Sequence, residues 1–304
     1  MITTKELTKK FGEVYALNNV SCNIPEGGIY GIVGSNGAGK STFLRLITGI
    51  YKPDYGEIYV DGDPVFENIN AKEKFIFVSD DQYFLPGTSI EKTAQFYKSI
   101  YKNFDKEMFF ELAEKLELDK TRRIDKFSKG MKRQTAIIAA LAAKPKYLIF
   151  DETFDGLDPV ARTKIKRIIY DEIVSRGATA IITSHSLREL EDTCDQLALL
   201  HKGGLVLERE LSELKTSLFK VQIALSYEYG KEDFKDIKII EFNKKGSVAN
   251  MIVEGEREEV TEKLSKLAPT ILDLLPLSLE EIFTYEMSAL GYYLSDEKEA
   301  GENA

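Results

Sequence analysis

The chain opens on two stretches, 2–7 and 16–24, whose apolar residues sit among polar ones; they predict antiparallel strands joined by a turn at Phe11-Gly12. Then the pattern changes. Ile29, Tyr30, Ile32 and Val33 form a nearly unbroken apolar run that reads as a buried strand, and Phe43, Leu44, Leu46 and Ile47 follow at helical spacing. A short strand at 57–60 closes on the turn Asp61-Gly62, and another spans 75–78. From about residue 89 to 143 the pattern is helical, with Phe109, Leu112, Ala113 and Leu116 on one face. Two more apolar strands, 147–150 and 179–183, flank a helix over 159–174. Strands this uniformly apolar fit a parallel sheet covered on both faces. A hairpin, 197–200 then 205–207, turns across Lys202-Gly203-Gly204.

Beyond residue 212 the character shifts. Strands are expected at 221–225, 237–242 and 248–253, and a helix at 256–267 with Val260, Leu264 and Leu267 on one side. A last helix starts at Ser278, with Glu281 placed to complete a reciprocal cap. This divides the chain into 1–212, a small α+β appendage at 213–290, and a disordered tail at 291–304.

Between the strand at 29–33 and the helix after it lies Gly34-Ser35-Asn36-Gly37-Ala38-Gly39-Lys40-Ser41-Thr42. Glycines at Gly34, Gly37 and Gly39 allow turns that point successive backbone N–H groups inward, a nest for phosphate oxygens at a helix N-terminus. Lys40 brings a mobile positive charge to the outer phosphates, and the Ser41 hydroxyl suits a magnesium ion bridging them. Asp151 and Glu152 end the strand 147–150. In a parallel sheet ligands bind beyond the carboxyl ends of the strands, so two carboxylates fall beside the phosphate loop. Asp151 suits a magnesium ion held through water, and Glu152 suits orienting or deprotonating a water. His185 follows the next apolar strand and opens onto the same crevice, where a neutral imidazole can donate to a terminal phosphate. At Phe127-Ser128-Lys129-Gly130-Met131, a hydroxyl and backbone N–H groups at a helix start form a second anion site.

At 304 residues the chain has room for one substantial core and a second domain. A net charge of −9 argues against broad contact with nucleic acid. The longest purely apolar run, Ala136 to Ala143, falls far short of the about 20 residues that cross a bilayer. Charged residues from Lys5 to Lys10 interrupt any N-terminal secretion signal. The two distant cysteines, Cys22 and Cys194, form neither a disulfide framework nor a metal cluster and read as reduced packing residues of a cytosolic protein.

The order of these elements resembles the nucleotide-binding subunit of ABC transporters over residues 1 to about 212. Gly34 to Ser41 match its Walker A loop, and Leu148 to Glu152 match Walker B with the catalytic glutamate. Ser128 to Met131 occupy the signature sequence, Asp155-Gly156-Leu157-Asp158 the D-loop, and His185 the switch histidine. Phe11 fits the aromatic residue that stacks on adenine. The resemblance implies an α/β fold: a P-loop NTPase core with an antiparallel β-subdomain, a helical subdomain at about 85–143, and here a small C-terminal α+β domain. It further implies ATP and Mg2+, ATP hydrolysis, a membrane-spanning permease subunit as partner, and residence at the cytoplasmic face of the membrane. A second nucleotide-binding subunit, identical or related, would face the first head to tail, so that Ser128 and Gly130 contact the ATP held by the other chain.

Two motifs depart from the family pattern. Phe127, Lys129 and Met131 replace three of the five residues of the usual Leu-Ser-Gly-Gly-Gln signature. The Q-loop glutamine falls by register on Asp80, with Gln82 two residues on, and either is a candidate to hold magnesium through water. Ser278 to Phe283 resemble part of the extension found in the ABC-2 subfamily of bacterial exporters. The alternatives are a soluble ABC-type ATPase acting on ribosomes or DNA, and a small-molecule kinase with the same loop.

Overall fold

In the computed structural model, which describes residues 1–289, the chain separates into two compact units, Met1–Glu208 and a second beginning at Arg209. The tail expected at 291–304 lies outside the described residues.

The first unit begins with β1 (Ile2–Phe11) and β2 (Val14–Ile24), an antiparallel hairpin, followed by β3 (Ile29–Val33) and α1 (Lys40–Ile47). Then come β4 (Tyr55–Val60), β5 (Asp63–Pro64), the short α2 (Ile69–Lys72) and β6 (Phe75–Val78). Three helices follow: α3 (Ile90–Ile100), α4 (Lys106–Lys115) and α5 (Lys129–Ala142). Their first turns are capped by Ser89, Asp105 and Ser128, whose side chains accept from backbone N–H groups three residues on. The unit ends with β7 (Tyr147–Phe150), α6 (Pro159–Arg176), β8 (Thr179–Ser184), α7 (Leu187–Glu191), β9 (Gln196–His201) and β10 (Gly204–Glu210).

These strands form two sheets. One is antiparallel in the order β2-β1-β4-β5; the other has six strands in the order β10-β9-β3-β8-β7-β6. In the larger sheet β9, β3, β8, β7 and β6 run parallel, so all their carboxyl ends lie at one edge. Every residue of β3, β7 and β8 is buried, which explains why none of them carries a charge, the only side-chain polar groups being the hydroxyls of Tyr30, Tyr147, Thr179, Thr183 and Ser184. Alternate residues Tyr30, Ile32, Tyr147, Ile149 and Ile181 meet Phe43, Leu44 and Ile47 of α1 and Leu7, Leu17 and Ile24 of the antiparallel sheet in one core. The phosphate loop is therefore held between the two sheets.

The second unit comprises α8 (Leu211–Ser217), β11 (Leu218–Ala224), β12 (Lys238–Lys245), β13 (Val248–Glu254), α9 (Arg257–Ser265), β14 (Ile271–Pro276) and α10 (Leu279–Ala289). Its antiparallel sheet runs β12-β13-β11-β14. Phe219, Val221, Ile223, Met251 and Val253 pack on Val260 and Leu264 of α9. At the start of α10 the Ser278 N–H donates to Glu281 Oε2 at 2.9 Å and the Glu281 N–H to Ser278 Oγ at 3.3 Å, the reciprocal cap expected there. Strand β14 was not foreseen.

Candidate functional site

Four neighbouring strands deliver their next residues to the same edge of the sheet. Parallel pairing sets Val33 beside Ser184, Phe150 beside Ile182 and Val78 beside Phe150. Gly34 and His185 therefore leave the sheet level with each other, while Asp151 and Ser79 leave it level with Thr183, two residues earlier along β8.

The phosphate loop needs its glycines for two separate reasons. Gly37 and Gly39 take φ of +79° and +106°, open to glycine and strained for other residues. A Cβ on Gly34 would lie 2.4 Å from the Leu200 carbonyl oxygen, and one on Gly39 would lie 2.4 Å from that of Ala16. The loop is thus pressed against β9 and β2. The hairpin turn between β9 and β10 braces it: the Gly203 N–H donates to the Ala38 carbonyl at 3.1 Å, and the Asn18 N–H to the Gly203 carbonyl at 2.8 Å. Ser35, Asn36 and Gly37 stay exposed while Ala38 is buried. Thr42 is half-buried in the first turn of α1.

Lys40 is 4% exposed. Its ammonium donates to the Gly34 carbonyl at 2.7 Å and the Ser35 carbonyl at 3.2 Å, and lies 3.2 Å from Glu152 Oε1. One cation thus touches both the loop and the carboxylate expected to act on water. Asp151 is buried, and its Oδ1 accepts from Ser41 Oγ at 3.0 Å and Thr183 Oγ1 at 2.8 Å. Burial raises the Asp151 carboxyl above the ordinary carboxylate range, and the Thr183 and Ser41 donors pull it part of the way back. Thr183 also accepts from the Glu152 N–H at 2.9 Å. Glu152 itself sits at φ +46°, a left-handed turn that swings its side chain out of line with β7.

Thr183 escaped the reading of the sequence. One hydroxyl joins both carboxylate residues, and only the register of β7 against β8 brings it there; its single linear signal is a hydroxyl residue two places before His185.

His185 Nδ1 lies 3.3 Å from Asp155 Oδ2, and one ligating atom from each of Glu152, Asp155 and His185 falls within 4.8 Å of the others. Burial, then the neighbouring Glu189, raises the Asp155 carboxyl, and His185 offsets this. Ser128 caps α5 through the Met131 N–H at 3.2 Å. A Cβ on Gly130 would lie 3.2 Å from the Gly156 carbonyl, so the signature turn lies against the D-loop of its own chain. Among the described residues neither Ser128 nor Gly130 hydrogen-bonds to Gly34–Thr42. Phe11, half-exposed at the end of β1, packs edge-on against Tyr51 with ring centres 5.6 Å apart and carries Lys9 over its ring at 5.7 Å. Of the Q-loop candidates, Asp80 is ion-paired with Arg133 and Gln82 donates to the Ser79 carbonyl. Neither is hydrogen-bonded to Ser41 or Asp151.

Residues 17–155 match the family described as ABC transporter. Over 283 residues the chain is 30% identical to the ABC transporter ATP-binding protein YtrB of Bacillus subtilis, spanning 93% of this chain and 97% of that one. This chain belongs to the ATP-binding proteins of ABC transporters. It is 33% identical over 221 residues to the bacitracin transport ATP-binding protein BcrA of Bacillus licheniformis, spanning 71% of each chain. Among solved structures, the dimeric ATP-binding cassette MJ0796 in a post-hydrolysis state with ADP and Pi superposes with a TM-score of 0.61 at 26% identity, covering 69% of this chain and 99% of that one. The fold is that of a P-loop ABC ATPase, and the protein is an ATP-binding and ATP-hydrolysing subunit of a transporter. These relatives lend no support to the soluble ribosome- or DNA-acting alternative. No helix among the described residues is long and apolar enough to cross a membrane.

Proposed function

We propose that this subunit binds ATP between the phosphate loop of one chain and the signature turn of a second, identical or related nucleotide-binding subunit, and that closing and opening of this pair drives an exporting permease from the cytoplasmic face of the membrane. The observation that carries the reading is the shared crevice at the ends of β3, β7 and β8, where Lys40, Ser41, Asp151, Glu152 and His185 meet. The Gly34–Thr42 amides and Lys40 hold the triphosphate, and Phe11 offers its ring to the adenine. Glu152 orients the attacking water and accepts its proton, while His185, held by Asp155, donates to the terminal phosphate. Because Lys40 is already paired with Glu152, triphosphate that draws the ammonium to itself leaves the Glu152 carboxylate for water.

Ser41, Thr183 and Asp151 present hard oxygen atoms around one buried carboxylate, a set that fits Mg2+ and excludes soft-metal chemistry. When bound, Mg2+ would neutralise phosphate charge; Ser41 and Asp151 would hold it, with Gln82 as a further candidate. Ser128 and Gly130 complete the site from the second chain. Export rather than import is the direction supported by the resemblance of Ser278 to Phe283 to the extension of ABC-2 exporters, and likeness to the bacitracin transport ATP-binding protein BcrA supports a transport role. The net charge of −9 makes nucleic acid an unsuitable partner. The domains proposed are 1–212 for the nucleotide and 213–290 for an accessory role.

Glu152→Gln tests this directly. Loss of a general base costs roughly 10²–10⁴ in rate, so the variant should hydrolyse ATP that much more slowly and accumulate as an ATP-bound dimer on size exclusion. A variant that turns over normally, or stays monomeric at saturating ATP, refutes the assignment.

A further inference from the structure

Asp80 stands where the family places its Q-loop glutamine, and its partner is not the nucleotide crevice. The loop leaves β6 at Val78, whose carbonyl accepts from the Asp151 N–H at 2.9 Å, so Asp80 sits two residues from the backbone that carries the buried carboxylate. From the opposite side comes Arg133, on the second turn of α5 and three residues after Gly130. Its Nη2 donates to the Asp80 carboxylate and, at 3.0 Å, to the Asp80 main-chain carbonyl. The same guanidinium reaches the D-loop: a Cβ on Gly156 would lie 3.5 Å from Arg133 Nη1, and the positive charge opposes the rise of the Asp155 carboxyl. The Arg133 side chain is 12% exposed although that of Asp80 is 56% exposed, so the guanidinium is largely walled in while its anion stays near water.

We propose that Arg133 is a positioning residue: by pairing with Asp80 it latches the signature helix α5 to the loops that leave β6 and β7, and so sets where Ser128 and Gly130 stand relative to Asp151 and Glu152. A guanidinium suits this task. It is charged at all working pH values and offers several N–H donors in a rigid fork, so it engages a carboxylate, a carbonyl and a neighbouring loop at once, which a glutamine amide at position 80 would not oblige it to do. A lysine at position 133 keeps the charge and loses the fork. Asp80 thus spends its carboxylate on a cation of its own chain, and its contribution to ATP hydrolysis is mechanical.

The inference rests on the reading that Ser128 and Gly130 complete the ATP site of a second chain, and its test separates the two. In the full-length protein carrying Glu152→Gln, ATP-driven dimerisation is followed by sedimentation, and binding of a fluorescent ATP analogue to the dilute monomer is measured alongside. Arg133→Ala and Asp80→Asn should each weaken dimerisation by roughly tenfold, the scale of losing a charge-assisted hydrogen bond, while monomer affinity for the analogue and its Mg2+ dependence stay put. Arg133→Lys should recover only part of the loss. The exchange Asp80→Arg with Arg133→Asp should restore dimerisation beyond either single change, independently of how well each single variant folds. If Ser128→Arg leaves dimerisation intact, the composite site itself fails. If Ser128→Arg abolishes it while Arg133→Ala and Asp80→Asn dimerise normally, the latch fails alone. An Asp80→Asn change that shifts the Mg2+ dependence of binding, with Arg133→Ala neutral, would overturn the latch and make Asp80 a metal ligand.

Discussion

Thr183→Val replaces a hydroxyl by a methyl of nearly the same shape at a fully buried position, and so removes two bonds without opening a cavity. The first is the donor to Asp151 Oδ1 at 2.8 Å; a hydrogen bond to a charged group contributes about 1.5–3 kcal/mol. The second is the acceptor for the Glu152 N–H at 2.9 Å, and an orphaned amide costs about 1–3 kcal/mol. Because the valine methyl gains apolar contacts in return, the net expectation lies near the low end of the sum, about 3 kcal/mol. At about 2–4 °C per kcal/mol for a domain of this size, Tm should fall by about 6–12 °C. Activity should fall as well, since Glu152 loses the anchor of its left-handed turn: each 1.4 kcal/mol added to the barrier is tenfold, so kcat should drop roughly tenfold or more. Calorimetry and steady-state ATPase assays on Thr183→Val and Thr183→Ser decide the matter. The serine variant keeps the hydroxyl and should stay near wild type in kcat. A valine variant with unchanged Tm and kcat would refute the role given to this hydroxyl.

Two further outcomes follow from the same crevice. Burial holds the Asp151 carboxyl above its unfolded value, so the native state binds that proton more tightly than the unfolded chain does; its stability falls as pH rises from the ordinary carboxylate range through the raised value. Asp151→Asn should therefore raise Tm at neutral pH, the two proteins converging in acid, while ATP hydrolysis is lost; melting curves across pH that show a less stable variant at neutrality would contradict this. Lys40→Ala removes the ammonium bound to two loop carbonyls and to Glu152, and should weaken ATP binding by about a hundredfold or more; titration calorimetry showing wild-type affinity would sink the cradle.

The parts of this protein that the chain announces linearly are those built from neighbours in sequence. The phosphate loop is one: its glycines, Lys40 and Ser41 act within one turn, so the spacing alone carries the chemistry. Strands β3 and β7 are another, because burial on both faces leaves them without a charged residue, and β8 is marked by its Ala180-Ile181-Ile182 centre between hydroxyl residues. Strand β14 was hidden for the opposite reason. It is an edge strand of exposed and half-buried residues with Asp273 inside it and Pro276 at its end, and it is ordered by pairing with β11, whose Phe219 stands opposite that proline. Thr183, the Lys40–Glu152 contact and the Asp80–Arg133 pair all join residues more than 30 positions apart, so only the sheet and the packing of α5 bring them together. Register alone places Asp80 at the family's glutamine; what register could not show was the guanidinium facing it.

The central claim, that each ATP site takes its phosphate loop from one chain and its signature turn from another, is tested most directly by mixing two defective proteins. In the Glu152→Gln background, Lys40→Ala spoils the loop and Ser128→Arg spoils the signature. Each alone should remain monomeric with ATP on analytical ultracentrifugation. An equimolar mixture should yield an ATP-dependent dimer, because one of its two sites combines the intact loop of the Ser128→Arg chain with the intact signature of the Lys40→Ala chain. A mixture that stays monomeric while the Glu152→Gln parent dimerises, or a Ser128→Arg chain that dimerises unaided, would contradict the account.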